Sequence, residues 1–233
     1  MISKFKGKKI VVLTGAGISA ESGLRTFRDA DGLWEGHRVD DVATPEAFEE
    51  NPDLVHRFYN ERRKQLKTVK PNAAHIALAD FEKAHDGEFL LVTQNVDDLH
   101  ERAGSKNIIH MHGELNKVRC LDTGEIFEWE GETGLKTPHP KPGFPDGRLR
   151  PHICWFGEIP YFMYEISKAV GKADIFVAIG TSGVVYPAAG FVAETKHNCR
   201  RVLINKDSAT NNSLFKEVIM GAATEKVPQF FSS

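Results

Sequence analysis

Ile10-Val11-Val12-Leu13-Thr14-Gly15-Ala16-Gly17-Ile18-Ser19-Ala20 decides the fold of this chain of 233 residues. Four consecutive apolar residues suit a strand covered on both faces, as in a parallel sheet flanked by helices. The run then breaks into Gly15-Ala16-Gly17-Ile18-Ser19-Ala20, which fits G-x-G-x-x-G/A. Glycines at those positions permit a tight turn and let backbone N–H groups approach a pyrophosphate at a helix N-terminus. Alone the pattern is weak, because a glycine-rich turn without a ligand has the same composition. Its place directly after a buried strand favours dinucleotide binding.

Working outward, similar apolar runs occur at Phe89-Leu90-Leu91-Val92, Ile175-Phe176-Val177-Ala178-Ile179 and Arg201-Val202-Leu203-Ile204, with a weaker one at Ile108-Ile109-His110. Polar or small clusters follow the strands: Thr14-Gly15, Thr93-Gln94-Asn95, Gly180-Thr181-Ser182 and Asn205-Lys206-Asp207. Ligands of open α/β sheets gather at the carboxyl ends of strands, so these four clusters are expected at one crevice. The predicted fold is α/β, a Rossmann-like doubly wound parallel sheet with a smaller lobe made from a helical insertion and a loop-rich insertion. Thr44-Pro45 and Asn51-Pro52 each read as an N-cap followed by proline at the first helical position. Ala73 to Lys83 is a further helical pattern. Gly113 to Pro151 is rich in Gly, Pro and charge, and Pro138, Pro140, Pro142 and Pro145 bar a regular helix from its second half. The large lobe is expected over 1–36, 71–112 and 152–233, and the small lobe over 37–70 and 113–151.

Composition narrows the class. At 26.0 kDa, with 41% hydrophobic and 27% charged residues, the chain is an ordinary globular protein of one domain with an insertion. Lys+Arg 30 against Asp+Glu 32 leaves a net charge of -2, with no basic excess to hold nucleic acid. No stretch approaches the roughly 20 apolar residues needed to cross a bilayer. Three scattered cysteines make no disulfide scaffold, and Met1 to Lys9 does not lead into a signal-type apolar region. A cytoplasmic protein with no nucleic-acid or membrane partner is expected.

The chemistry departs from that of a dehydrogenase. An acidic residue about 20 positions after the glycines should end a second strand, but Asp40 and Asp41 lie among helix-like segments. Ser22, Gly23, Phe27 and Arg28 instead continue a polar, aromatic and cationic loop suited to covering a nucleotide. Gln94-Asn95-Val96-Asp97 places amide and carboxylate groups at a strand end, where they can grip a ribose or a carboxamide; an Asx-type turn is the alternative. His110 and His112 share one face if extended, as metal ligands do. His112 is also a candidate general base, since imidazole titrates near neutral pH, while a purely structural histidine remains the plainer alternative.

Together these motifs resemble the sirtuins, NAD-dependent protein lysine deacylases. The match runs through Gly15 to Ser19, Ser22-Gly23, Phe27-Arg28, Thr93 to Asp97, His112-Gly113, Trp155-Phe156-Gly157-Glu158, Gly180-Thr181-Ser182 and Asn205, in the family's order. It is closest to the bacterial and mitochondrial-type class that removes acidic acyl groups. The resemblance implies that NAD is consumed, nicotinamide released, and the acyl group of a protein lysine carried off as O-acyl-ADP-ribose. It implies His112 as the general base on a ribose hydroxyl, with Asn95 and Asp97 holding the ribose and nicotinamide. Gly15, Ala16, Gly17, Ser19, Phe27, Arg28, Trp34, Gln94 and Val96 would complete the dinucleotide contacts. Gly180, Thr181, Ser182, Asn205, Lys206, Asp207 and Ala223 would line the adenosine side. Ile153, Trp155, Phe156, Gly157 and Glu158 would form the edge to which a substrate peptide adds a strand.

Acyl choice points to the helix after Pro52. Leu54, Val55, Phe58, Tyr59 and Leu66 make an apolar stripe on which Arg62 also falls, three residues from Tyr59. An arginine in an apolar lining is costly unless an anion meets it; snorkelling, or pairing with a glutamate, is the plainer alternative. The resemblance implies that Tyr59 and Arg62 select succinyl- and malonyl-lysine, with acetyl-lysine as a further substrate. Sirtuins usually carry four zinc cysteines as two paired motifs, whereas only Cys120 lies in Gly113 to Pro151 and no C-x-x-C occurs. Asp122, His139 and His152 form no recognised metal spacing with it, so no structural zinc is expected. The rival readings are a non-catalytic NAD or ADP-ribose sensor, a mono-ADP-ribosyltransferase, and a metal hydrolase using His110, His112 and Asp97.

Overall fold

Every residue of the strand Ile10–Thr14 is buried, and its side chains alternate between two cores. Ile10 and Val12 meet Leu78, Phe81 and Phe230 on one side, whereas Val11 and Leu13 meet Ile166, Val170 and Phe191 on the other. The computed structural model describes residues 4–25 and 34–232, so Phe27 and Arg28 lie outside the described residues. In chain order the elements are β1 (Ile10–Thr14), α1 (Val39–Val42), α2 (Pro45–Glu50), α3 (Pro52–Leu66), α4 (Ala73–Ala84), β2 (Phe89–Thr93), α5 (Leu99–Ala103) and β3 (Ile108–His110). Then come β4 (Gly113–Cys120), β5 (Ile126–Glu128), β6 (Leu149–Ile153), α6 (Met163–Lys172), β7 (Ile175–Ile179), α7 (Phe191–Glu194), β8 (Arg200–Asn205), β9 (Glu217–Met220) and α8 (Ala223–Ser232).

Six strands form one parallel sheet in the order β3-β2-β1-β7-β8-β9, the doubly wound α/β arrangement expected from the sequence. Thr14 lies level with Thr93 on one side and Ile179 on the other, so the carboxyl ends of the central strands open at one height. The caps form as read: Thr44 Oγ1 accepts from Ala47 N and Asn51 Oδ1 from Leu54 N, both at 3.0 Å.

Two elements differ from expectation. The edge strand β9 has half-exposed residues and escapes a search for buried runs. In the insertion expected to be loop-rich, β4 runs for eight residues and pairs antiparallel with β5 and β6. Its charges hid it: Lys117 meets Glu114 at 2.8 Å and Arg119 meets Glu158 at 3.4 Å, so polar side chains are satisfied on a strand with Leu115, Val118 and Cys120 buried. The four prolines do fall outside regular structure.

Helix α3 fastens this insertion. Asn60 Nδ2 donates to Thr133 O at 2.8 Å, and Asn60 Oδ1 accepts from Thr133 N at 2.9 Å. Arg63 Nε donates to Leu115 O at 2.7 Å, while its Nη1 donates to Asn60 Oδ1 at 2.7 Å and Gly131 O at 3.1 Å. His56 Nδ1 lies 2.9 Å from Thr133 Oγ1.

Candidate active site

The chain leaves β1 between β1 and β7, where the strand order reverses and α/β sheets bind ligands. Gly15 N donates to Ile179 O and Gly17 N to Gly180 O, each at 2.9 Å. A Cβ on Gly17 would lie 2.7 Å from the Gly180 Cα, and one on Gly180 would lie 2.4 Å from Ile18 N. Gly180 also has φ +63, a region costly for other residues. The two glycine turns therefore interlock, leaving a cradle walled by backbone with no side chain between the turns. Beyond the cradle the chain makes a pair of short 3-10 turns, Ala16–Ile18 and Ala20–Ser22, rather than the expected N-terminus of an α-helix. Gly23, at φ 99, ends the second turn.

Ser19 is the hub beneath this cradle. Its hydroxyl donates to Asp97 Oδ2 at 3.0 Å and accepts from Asn95 Nδ2 at 3.2 Å. Asn72 N donates to His75 Nδ1 at 3.3 Å, so the neutral His75 ring carries its proton on Nε2, which faces Ser19 Oγ at 3.4 Å. Burial pulls the pKa of His75 down to about 4. Below, His100 Nε2 meets Thr14 Oγ1 at 3.1 Å, and Thr14 donates to Thr93 Oγ1 at 2.9 Å. Thr93 Oγ1 in turn accepts from Asn95 N at 3.0 Å. Burial pushes the Asp97 pKa up to about 6, although Leu99 N and Ser19 donate to the carboxylate. Thr14 and Thr93 stand at the crevice as their strand-end positions led one to expect, whereas His75 and His100 were not legible as site residues; their only sequence signal is position at helix starts.

Two histidines hold consecutive carbonyls. His112 Nδ1 donates to Gln94 O at 3.0 Å, and His110 Nδ1 donates to Asn95 O at 3.2 Å. Burial lowers the pKa of His112, so the ring is neutral at pH 7 with its lone pair on Nε2. The backbone carbonyl of His112 accepts from Cys154 N at 2.9 Å, which brings the end of β6 alongside.

That end carries the residues assigned to the substrate. Ile153 and Trp155 are buried; Phe156 and Gly157 are exposed. Glu158 turns inward, accepting from Arg150 at 2.8 and 2.9 Å and from Trp155 N at 2.8 Å, and so braces the turn from behind. Tyr59 is fully buried and accepts from Trp155 Nε1 at 3.0 Å. Trp34 packs edge-on against Phe58, with ring centroids 4.9 Å apart. Arg62 lies over the Phe58 ring at 4.9 Å, with Glu35 Oε2 3.9 Å from its Nη2. Its Nε and Nη1 are buried with no hydrogen-bond partner among the described residues.

At the far end of the crevice, Gln94 Nε2 reaches Thr181 Oγ1 at 3.4 Å, and Val96 O accepts from Leu115 N at 2.8 Å. Asn205 Nδ2 donates to Thr181 O at 3.0 Å and to Asp207 O at 2.8 Å. Ser182, Lys206 and Asp207 are exposed, while Ala223 is buried at the start of α8. Of the candidate zinc donors, Cys120 and His139 lie within hydrogen-bonding reach of each other, but the others are engaged elsewhere. Asp122 is paired with Arg148 at 2.6 Å, His139 stacks on Phe144 at 4.5 Å, and His152 stacks on Tyr161 at 4.7 Å. Among the described residues, Glu101, His110 and Glu114 bring ligand atoms within 4.8 Å of one another, but Lys117 Nζ already sits 2.8 Å from Glu114.

The comparisons agree with this geometry. The Sir2 family model matches residues 15–187. An NAD-dependent protein deacylase of Rhodopirellula baltica is 56% identical, covering 96% of this chain and 97% of the relative. One of Pasteurella multocida is 57% identical over 97% of this chain and 98% of its own. The crystal structure of a Sir2 homologue–NAD complex superposes with a TM-score of 0.87 at 38% identity, covering 97% of this chain and 89% of that one. By its glycine cradle, its paired histidines and these matches, the chain belongs to the Sir2 family, the sirtuins.

Proposed function

We propose that this chain is an NAD-dependent protein deacylase that takes succinyl and malonyl groups, and also acetyl groups, from lysine. The observation that carries the acyl assignment is Arg62, whose buried Nε and Nη1 have no partner among the described residues. A buried guanidinium with unmet donors is costly, and a carboxylate is the group that satisfies two of them at once.

NAD supplies an electrophilic ribose carbon, from which nicotinamide departs, and the acceptor for the acyl group. The interlocked turns of Gly15, Gly17 and Gly180 form the cradle for its phosphates, because a Cβ there would strike backbone. His112, with its proton on Nδ1 donated to Gln94 O, takes a ribose hydroxyl proton at Nε2. Asn95 and Asp97, both held by Ser19, orient the ribose and nicotinamide. Thr181, Ser182, Asn205 and Ala223 face the adenosine. Exposed Phe156 and Gly157 receive the peptide, and buried Trp155, bonded to Tyr59, keeps water from the acyl group. Its substrates are acylated proteins of the cytoplasm: the net charge of -2 gives no basic excess for nucleic acid, and no described helix is long and apolar enough to cross a membrane.

Mass spectrometry of succinyl- and acetyl-lysine peptides, incubated with and without NAD, tests the reading. NAD-dependent loss of succinyl with O-succinyl-ADP-ribose formed is the expected result. Acetyl removal alone would reject the acidic-acyl pocket, and no turnover of either peptide would reject the enzyme.

A further inference from the structure

His110 has no role in the function proposed above, yet it is 7% exposed and both ring nitrogens are engaged. Nδ1 faces the Asn95 carbonyl at 3.2 Å, and a carbonyl only accepts, so Nδ1 carries a proton. Nε2 meets the Glu101 carboxylate. Burial opposes protonation of this ring, but Glu101 outweighs it and holds the His110 pKa above its ordinary value. Glu101 lies on α5, the helix that begins two residues after Asp97.

The contacts of Asn95 show what this pair controls. Its N–H donates to Thr93 Oγ1 at 3.0 Å, and its Nδ2 donates to Gly15 O and Ser19 Oγ, both at 3.2 Å. The Gly15 carbonyl fixes which end of the amide is nitrogen, because only the NH2 end can donate to it. With its carbonyl bonded to His110, the Oδ1 of Asn95 is the one polar atom of the residue with no partner among the described residues. Rotation of the Asn95–Val96 peptide plane would break the bond between the Asn95 carbonyl and His110.

We propose that His110, backed by Glu101, is a positioning residue: it clamps the Asn95 carbonyl so that Asn95 Oδ1 is presented to the nicotinamide ribose. His112 does the same one residue earlier on the Gln94 carbonyl. The two histidines thus fix consecutive peptide planes of one loop, while His112 alone keeps its Nε2 free of any protein partner among the described residues. The inference rests on Asn95 being a ribose contact.

Two isosteric replacements separate clamping from packing in the full-length protein. The amide nitrogen of asparagine falls where Nδ1 stands, and that of glutamine where Nε2 stands. His110→Asn therefore keeps the donor to Asn95 and loses Glu101; His110→Gln does the reverse. With a succinyl-lysine peptide, His110→Asn is expected to retain kcat within about threefold, while His110→Gln and His110→Ala lose about tenfold or more, as for one buried hydrogen bond. The peptide KM stays unchanged in all three, and nicotinamide exchange falls with kcat. Thermal melting of the Asn and Gln variants shows whether both fold alike. Equal kcat for those two variants, high or low, would overturn the inference. Asn95→Ala is the control: full activity there would overturn the assignment of Asn95 itself, a failure distinct from that of His110.

Discussion

The indole N–H of Trp155 donates to the hydroxyl of Tyr59 across 3.0 Å, joining the turn after β6 to the middle of α3. Because the phenol oxygen accepts there, the Tyr59 proton is left to point at something else, and burial raises its pKa so that the proton stays on. Arg62 lies one helical turn further along, with two donors unmet among the described residues. Phenol and guanidinium together offer a carboxylate more than one donor. Tyr59→Phe and Arg62→Met should each lower kcat/KM for a succinyl-lysine peptide by about tenfold to a hundredfold, matching loss of a hydrogen bond to a charged group. Deacetylation should change by less than about threefold. Equal losses on both peptides, read by steady-state kinetics, would remove the acyl role.

His112 gives the acid limb of the reaction. Burial lowers its pKa, so the unreactive imidazolium gathers only below the ordinary value of 6.5. The kcat/KM for NAD should be level from pH 7 to 8 and fall on the acid side with an apparent pKa under 6.5. His112→Ala should abolish turnover while NAD binding, followed by calorimetry, persists. A limb centred above pH 7 would point to another base.

The glycine cradle predicts a sharp contrast. A Cβ on Gly17 meets the Gly180 Cα at 2.7 Å, whereas one on Gly134 meets nothing within 4 Å. Gly17→Ala should cost at least about tenfold in NAD affinity and lower the melting temperature by several degrees, since backbone must move. Gly134→Ala should be silent in both measurements. Comparable effects at the two positions would show that the turns are not interlocked in solution.

Acid should loosen the fold before it protonates the exposed carboxylates. Burial lowers the pKa of His56, His75 and His152 to about 4 each, and that of His100 well below the usual value. In each case the unfolded chain takes the proton first. Stability is therefore full above pH 6.5 and declines as pH falls from 6.5 toward 4. His112, lowered as well, adds to the same trend. His110 and Asp97, both raised, contribute in the opposite direction, but they are two groups against five. Melting temperatures at pH 7.5, 6, 5 and 4.5 should descend, and a flat profile between 7.5 and 5 would contradict it.

The small lobe should depend on Asn60 rather than on metal. Asn60→Ala removes the bonds to both the N–H and the carbonyl of Thr133 and leaves Arg63 short of a partner. About 2–4 kcal/mol of destabilisation is expected from buried groups left unpaired. Chelator treatment of the wild type should leave its melting temperature unchanged, and stoichiometric zinc by elemental analysis would reverse this expectation.

The legible part of the sequence was local. The run Ile10 to Leu13 and the glycines after it declare a buried strand and its turn without help from elsewhere. Strand β4 did not, because its charged residues are satisfied by Glu158, Glu114 and Glu128, partners that spacing alone does not reveal. Arg63 gave no reason to be chosen over Arg62 beside it; its partners Leu115 and Gly131 stand far along the chain. The pair His110 and His112 was visible as a pair, but which nitrogen each ring uses depends on the carbonyls of Gln94 and Asn95. Periodicity finds elements, while tautomers and clamps come only from tertiary neighbours.

Helix α3 carries two stripes about a quarter turn apart: Tyr59 and Arg62 on one, and His56, Asn60 and Arg63 on the other. The first set is the one proposed to meet the acyl group, and the second anchors the insertion. Mutation can therefore explore new acyl chemistries on the first stripe while the second holds the architecture constant. A gene encoding such a helix is free to drift in substrate taste without first becoming unfoldable, which makes this segment the natural starting point for laboratory evolution of acyl preference.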